Sequence, residues 1–509
     1  MRKQVGKMVG MTCLAAGCIG LLAGCGQSSE SVTMDTTALA DELQESGIFS
    51  SELTKVDDEA ASYMVQAAEN TQIDLYKNQD GSKTDEILIL TGEDSSSTEE
   101  NKTAADTHLQ DVISSFEDYV PEEAAKAEDA VILDKDKYVV LCISNDSDTA
   151  KQIIEKYLNG DGSQAKADDS KKKADSQKDD SGDGSESDVK GSDTDTASQN
   201  TDYEKIESND KVTDYGSVVA VGNAAYELYN YSDDTAKNYA GLINKAADGL
   251  AGSATVYDLV PPTSTAITFP DNLRDQISSS DQAKSLDKIY GYMDDNVKTV
   301  NAYPDLMEHR TEYVYFRTDH HWTALGAYYA YNEFCKTKGI DPTPLENYKT
   351  VEYNDFLGSF YKDTNNSSAL GNTPDTIKAY YPVSQNVTMD VTDQKGQNYK
   401  WDVIHDVTDY GKSLKYSTFI AGDNPMTVIT NSDITDGSSC VVVKESFGNA
   451  LVPFLIDHYQ TVYVIDYRYW TGDVVSFAKE KNVQDVLFVN NISMTRSNFL
   501  IGKLAMVIK

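Results

Sequence analysis

Two short segments of this 509-residue chain gather the residue types needed for covalent acyl transfer, and two more could assist them. Asp319-His320-His321-Trp322 sets a carboxylate beside two imidazoles, and Lys444-Glu445-Ser446-Phe447-Gly448-Asn449 offers a hydroxyl just after an apolar run. Serine is a weak nucleophile until an imidazole takes its proton, and that imidazole needs a carboxylate to fix its tautomer. Ser446, His321 and Asp319 fit those three roles. If residues 319–321 are extended, positions two apart share a side, which selects His321 over His320 as the base. Phe447, Asn490, Asn491, Arg468, Trp322 and His320 are the candidates for oxyanion stabilisation or substrate binding. Backbone N–H groups at the start of a helix after Ser446 suit an oxyanion. Simpler roles stand beside these: Ser446 as a helix cap, Trp322 as a cover for a sheet edge, Arg468 as an ion-pair partner. His320-His321 has no further His or Cys at ligand spacing, so neither a metal nor a cofactor is expected.

The positions of these residues depend on the elements around them. Continuous apolar runs at 218–221, 255–260, 440–443, 461–465 and 486–489 alternate with helical patterns at 232–250, 280–293, 451–459 and 474–481. Strands at 299–302 and 313–316 complete a parallel sheet with helices on both faces. A polar, β-rich insertion falls near 343–435. In such sheets ligands bind at the carboxyl ends of strands, where 317–322, 444–449, 466–468 and 490–491 all lie. This α/β domain is expected over 202–509. A smaller α+β domain over 25–160 precedes it, with helix, strand, helix, hairpin and helix in that order. His108, alone on a polar helix there, is expected to be solvated. Residues 161–201 hold no aromatic, Leu, Ile or Met and read as a disordered Ser/Asp/Lys linker.

Residues 1–24 read as a lipoprotein signal peptide, with Arg2, Lys3 and Lys7 before an apolar stretch. Leu22-Ala23-Gly24-Cys25 is a lipobox, so a lipid on Cys25 would anchor the protein to the outside of a bacterial membrane. Lys plus Arg number 44 against 83 Asp plus Glu, a net charge of −39 that argues against nucleic-acid partners. Beyond the signal and the anchor remain Cys142, Cys335 and Cys440, too scattered for a disulfide framework.

Phe316-Arg317-Thr318-Asp319-His320-His321-Trp322-Thr323-Ala324-Leu325-Gly326 resembles the DHHW protein family. The blocks 444–450, 466–469 and 488–491 resemble it as well. That family is related to SGNH-hydrolase-like proteins that O-acetylate alginate and other exopolysaccharides, with the Asp-x-His pair ahead of the Ser in the chain. The resemblance implies an SGNH-like, flavodoxin-like sheet and an O-acetyltransferase or esterase acting on a polysaccharide. It also implies a multi-spanning membrane acyltransferase as the source of acyl groups. Lys444-Glu445-Ser446 departs from the Gly-Asp-Ser block of such enzymes. A catalytically silent glycan- or partner-binding component of the same machinery is the alternative. The 25–160 region resembles an uncharacterised domain of Gram-positive lipoproteins.

Overall fold

The computed structural model describes residues 33–78, 83–116, 120–160 and 203–509. The signal segment, Cys25 and the 161–201 segment lie outside the described residues.

The smaller domain begins with α1 (Thr36–Glu45), β1 (Leu53–Lys55), α2 (Asp58–Met64), β2 (Gln72–Asn78) and β3 (Glu86–Thr91). It continues with α3 (Thr98–Phe116), α4 (Pro121–Glu128), β4 (Val131–Lys135), β5 (Tyr138–Ile143) and α5 (Ser147–Leu158). Its five strands form one antiparallel sheet in the order β1-β2-β3-β5-β4. Alternate residues along β3 and β5 bury on opposite faces. Leu88, Leu90, Val139 and Leu141 meet α2, α3 and α4, while Ile87, Ile89, Val140 and Cys142 meet α1 and α5. Asp57 and Asp146 cap α2 and α5 by accepting from Ala60 and Thr149. The domain thus holds three strands or helices more at its start, and one more helix after α3, than the apolar pattern suggested. His108 is not solvated: it is buried in α3, with Nε2 2.5 Å from Glu86 Oε1. Lys77 holds the other oxygen of Glu86. The i,i+3,i+4 polarity of a helix cannot reveal a buried carboxylate that arrives from a strand.

The larger domain opens with β6 (Val212–Asp214), β7 (Val218–Val221) and β8 (Ala224–Glu227), followed by α6 (Asp233–Gly249) and β9 (Thr255–Leu259). Next come α7 (Ser264–Ile267), α8 (Gln282–Gly291), β10 (Val297–Val300), α9 (Tyr303–Glu308) and α10 (Ala324–Lys338). The middle region holds β11 (Lys349–Phe356), α11 (Ser359–Asp363), α12 (Ser368–Gly371), β12 (Asp375–Tyr381), β13 (Val387–Thr392), β14 (Asn398–Trp401) and β15 (Met426–Asn431). The chain ends through β16 (Ser439–Lys444), α13 (Gly448–Leu455), β17 (Thr461–Asp466), α14 (Val474–Lys481), β18 (Asp485–Val489) and α15 (Asn498–Ala505).

The fold is mixed α/β. An eight-stranded sheet runs β10-β9-β18-β16-β17-β15-β13-β14, parallel from β10 to β17 and antiparallel beyond. Val441 and Val443 of β16 face one core and Cys440 and Val442 the other, so this strand is buried on both sides. Cys142, Cys335 and Cys440 are all buried and free. No helix among the described residues is long and apolar enough to cross a membrane.

Three expectations change. Residues 218–221 form β7, but in a separate antiparallel sheet with β6 and β8. Residues 313–316 form no strand. Tyr315 makes a single bridge to Trp322, and the segment folds back on itself, with Val314 N–H donating to the Glu312 carbonyl and Phe316 N–H to the His321 carbonyl. The 343–435 region is not wholly inserted, because β13, β14 and β15 extend the main sheet from the edge of β17.

Candidate active site

Ser446 sits in the short turn between β16 and α13, at the carboxyl edge of the parallel strands. Gly448 allows that turn, since a Cβ there would lie 2.6 Å from Lys444 Cβ. Below it, the buried Lys444 ammonium lies 2.9 Å from both Asp423 and Asp466. Arg468 completes the cluster, bonding both oxygens of Asp466 and reaching Asp423 at 3.0 Å. A buried charge cluster of this kind keeps its energy only while every member is paired. It ties β16, β17 and the 423 loop together beneath Ser446.

His321 Nε2 lies 2.7 Å from Ser446 Oγ, and His321 Nδ1 lies 2.6 Å from Asp319 Oδ1. All three side chains are buried. The same Asp319 oxygen also accepts the His321 backbone N–H at 3.0 Å, so residues 319–321 form a bend rather than an extended stretch. His321 is therefore the partner of Ser446 because a local turn folds it back onto Asp319, not because of strand alternation. Asp319 Oδ2 accepts the Ser359 backbone N–H.

The imidazole of His321 is clamped. The Tyr416 ring stacks on it at 4.0 Å and 15°, and the His320 ring lies 3.9 Å away. His320 Nδ1 is 2.7 Å from Ser359 Oγ. Burial, and then the charge of His320, lower the His321 pKa below its ordinary value, with Asp319 acting the other way. At neutral pH His321 is thus neutral and able to accept a proton. Burial alone would raise Asp319, but the two adjacent imidazoles hold it well below the usual carboxylate range.

The remaining sequence candidates divide. Trp322 is fully buried and donates from Nε1 to the Phe447 carbonyl at 2.9 Å, pinning the Ser446 turn. Phe447 N–H and Asn491 N–H converge on one group, the carboxylate of Glu445, at 3.1 and 3.0 Å. Ser446 Oγ also lies 3.3 Å from that carboxylate. Two backbone donors beside Ser446 are therefore aimed at one carboxylate. Asn490 points away: it donates to Tyr239 Oη at 3.3 Å, and Tyr239 in turn donates to the buried Asp258. Burial pushes the Asp258 carboxyl up to about 7. Arg468 is an ion-pair partner that also lines the cleft over Ser446. Asp319, His320 and His321 bring three donor atoms within 4.8 Å of one another, the one such group of metal-ligand types among the described residues. Each has a protein partner: Nδ1 and Nε2 of His321 face Asp319 and Ser446, and Nδ1 of His320 faces Ser359.

Asp375, Gly358, Tyr416 and Asp423 were not singled out from the sequence, and Glu445 only as part of the altered block before Ser446. Asp375 is fully buried and orients the 317–318 backbone. Gly358 packs so closely that a Cβ would fall 2.0–2.4 Å from the Asp319 side chain. The one available signal was Lys444, a charge at the end of an otherwise apolar strand.

Ser446, His321 and Asp319 thus form a buried, hydrogen-bonded relay at the carboxyl edge of the parallel strands. The chain belongs to the DHHW protein family, whose model matches residues 145–465. Residues 49–144 match a domain of unknown function, DUF4358. The crystal structure of a DHHW family protein from Eubacterium siraeum is 30% identical, with a TM-score of 0.52, covering 60% of this chain and 99% of that one. Bacillus cereus PatB1 with a sulfonyl adduct is 19% identical at a TM-score of 0.47, over 56% of this chain and 98% of that one. The O-acetyltransferase domain of Pseudomonas putida AlgJ is 14% identical at a TM-score of 0.30, over 55% and 90%. Among curated proteins nothing matches.

Proposed function

We propose that this protein is an SGNH-like serine O-acyltransferase or esterase acting on a cell-envelope or secreted polysaccharide, tethered outside the membrane by a lipid on Cys25. The observation that carries the reading is the continuous Asp319–His321–Ser446 relay, with both contacts at hydrogen-bond distance. Ser446 Oγ attacks the acyl carbonyl while His321 Nε2 takes its proton, and Asp319 steadies the imidazolium. The leaving alcohol then receives that proton, and an acyl-serine remains. A sugar hydroxyl, or water in the esterase direction, gives its proton to His321, attacks the acyl carbon and releases Ser446, which regains a proton. Phe447 N–H and Asn491 N–H stabilise the oxyanion once Glu445 withdraws. The acyl group itself comes from a multi-spanning membrane partner, and the polysaccharide target follows from the family resemblance.

The test is turnover of an aryl acetate and transfer of its acetyl group to oligosaccharides. Ser446→Ala and His321→Ala should each reduce kcat by roughly 10⁴-fold or more, with little further loss when combined. One observation favours the second reading, a silent binding component: the Glu445 carboxylate occupies both oxyanion donors. Failure of Ser446 to be labelled by a sulfonyl fluoride, read as an absent mass shift, would support that alternative.

A further inference from the structure

The cleft over Ser446 has a volume of ≈560 Å³, within the range of small-ligand sites. Part of its wall comes from the smaller domain. Asp111, Ser114 and Ser115 of α3 line it together with Tyr469, Ser497 and Phe360 of the larger domain. Positions 111, 114 and 115 are spaced i, i+3, i+4, so they form one stripe of the helix. Ala105, Leu109, Val112 and Phe116 form its buried stripe. A polar helix stripe normally faces bulk water; this one faces a nucleophile.

The docking that brings it there is built into α15. A Cβ on Gly502 would lie 2.1 Å from Met64 Cγ and 3.2 Å from the Ala60 carbonyl, so α15 and α2 touch nearly backbone to backbone. Phe499 lies under the Lys77 ammonium at 5.4 Å and beside the His108 ring. Lys245 pairs with Glu59 at 2.8 Å, and a single apolar core runs through both domains. The chemistry of the cleft also limits its ligand. Its arginines are engaged by carboxylates, Arg496 with Glu227 and Arg468 with Asp466 and Asp423. The rest of the lining includes Lys503, His320, hydroxyls, aromatic rings and the acidic groups Asp111, Asp363 and Glu445. With Glu227 its lining carboxylates outnumber the cations Arg468, Arg496 and Lys503, so the surface suits a neutral, hydroxyl-rich ligand better than a phosphate-bearing one.

We infer that the smaller domain is the acceptor wall of the active site: a neutral glycan chain lies between α3 and the larger domain, with its hydroxyls on Asp111, Ser114 and Ser115. This deepens the acyl-transfer reading and rests on it for the identity of the reacting hydroxyl. Burial raises the Asp111 carboxyl, and a sugar hydroxyl donating to it would offset that desolvation.

The experiment uses the full chain and separates binding from chemistry. Binding of neutral cello-, xylo- and manno-oligosaccharides, from monosaccharide to hexasaccharide, is measured by calorimetry in the Ser446→Ala background. At least one series should bind more tightly with length. Adding Ser115→Trp, which fills the cleft, or the isosteric Asp111→Asn should weaken the hexasaccharide by about tenfold or more, the loss of one good contact. The same Trp placed at Gln152, exposed on α5, should not. In chemically competent protein, Ser115→Trp should lower the ratio of glycan to aryl-acetate turnover by a similar factor. Absence of binding by every series, or equal binding by the Ser115→Trp and Gln152→Trp proteins, would overturn the inference. Length-dependent binding sensitive to Ser115 in a protein that turns over no ester would uphold the cleft while refuting the acyl-transfer reading.

Discussion

Gly358→Ala probes the relay without replacing any of its members. The glycine has φ −87°, so alanine meets no backbone penalty there. The whole effect is the collision of the new methyl with Asp319, 2.0 Å from Oδ2, 2.2 Å from Cβ and 2.4 Å from Cγ. Restoring ordinary contact moves the carboxylate by more than about 1 Å. The 2.6 Å bond to His321 Nδ1 and the 3.0 Å bond from Ser359 N–H both lie in the path of that shift. Misplacing a catalytic group by this much costs roughly 10²-fold, and complete loss of its orienting role approaches 10⁴-fold. We expect kcat for aryl acetate to fall within that interval, with KM little changed. In an Asp319→Ala background the same glycine substitution should cost much less in kcat, because the carboxylate it displaces is gone even though the contact with Cβ stays. Near wild-type kcat in Gly358→Ala, or full additivity with Asp319→Ala, would refute the assigned relay. Thermal unfolding of each variant guards against a general loss of structure.

The low pKa of His321 places the acid limb of the kcat/KM profile below the ordinary imidazole value of 6.5. His320→Ala, which removes a neighbouring positive charge, should move the limb up, and Asp319→Asn should move it down; a limb that stays put in both would exclude His321 as the base. Lys444→Ala leaves Asp423 and Asp466 without the ammonium that joins them, so unfolding free energy should drop by about 3–5 kcal/mol, read by denaturant titration. Glu86 has its carboxyl lowered to about 2 by His108 and Lys77 against its burial. A depressed carboxylate stabilises fully above its unfolded value of 4.5 and loses that contribution as pH falls towards 2, so the smaller domain should loosen across that window, and Glu86→Gln should flatten the dependence. Cys25→Ser should shift the protein from the membrane to the soluble fraction on fractionation; unchanged membrane retention would remove the lipid anchor from the proposal.

The hydrogen-bonded relay was legible where it is local in the chain. Asp319, His321 and Ser446 could be named because the first two are neighbours and the third follows a continuous apolar strand, so residue type and strand-end position sufficed. The parallel strands 440–443, 461–465 and 486–489 were legible for the same reason: burial on both faces leaves an uninterrupted apolar run. What failed depended on partners distant in sequence. Residues 313–316 carry strand-like side chains, yet Phe316 N–H turns back to the His321 carbonyl, and Asp375, some sixty positions away, takes the Arg317 and Thr318 N–H groups that follow. Asn490 and Asn491 are alike in sequence, but the first turns its amide to Tyr239 and the second turns its backbone to Glu445. His108 looked like a solvent-facing residue until Glu86 and Phe499 closed over it from other elements. The polar stripe of α3 is an ordinary amphipathic pattern by itself. Only the packing of α15 against α2, through Gly502, turns that stripe towards Ser446. Side-chain periodicity records which face of an element is apolar; what the opposite face meets is decided by how whole elements pack, and that information is spread across the chain.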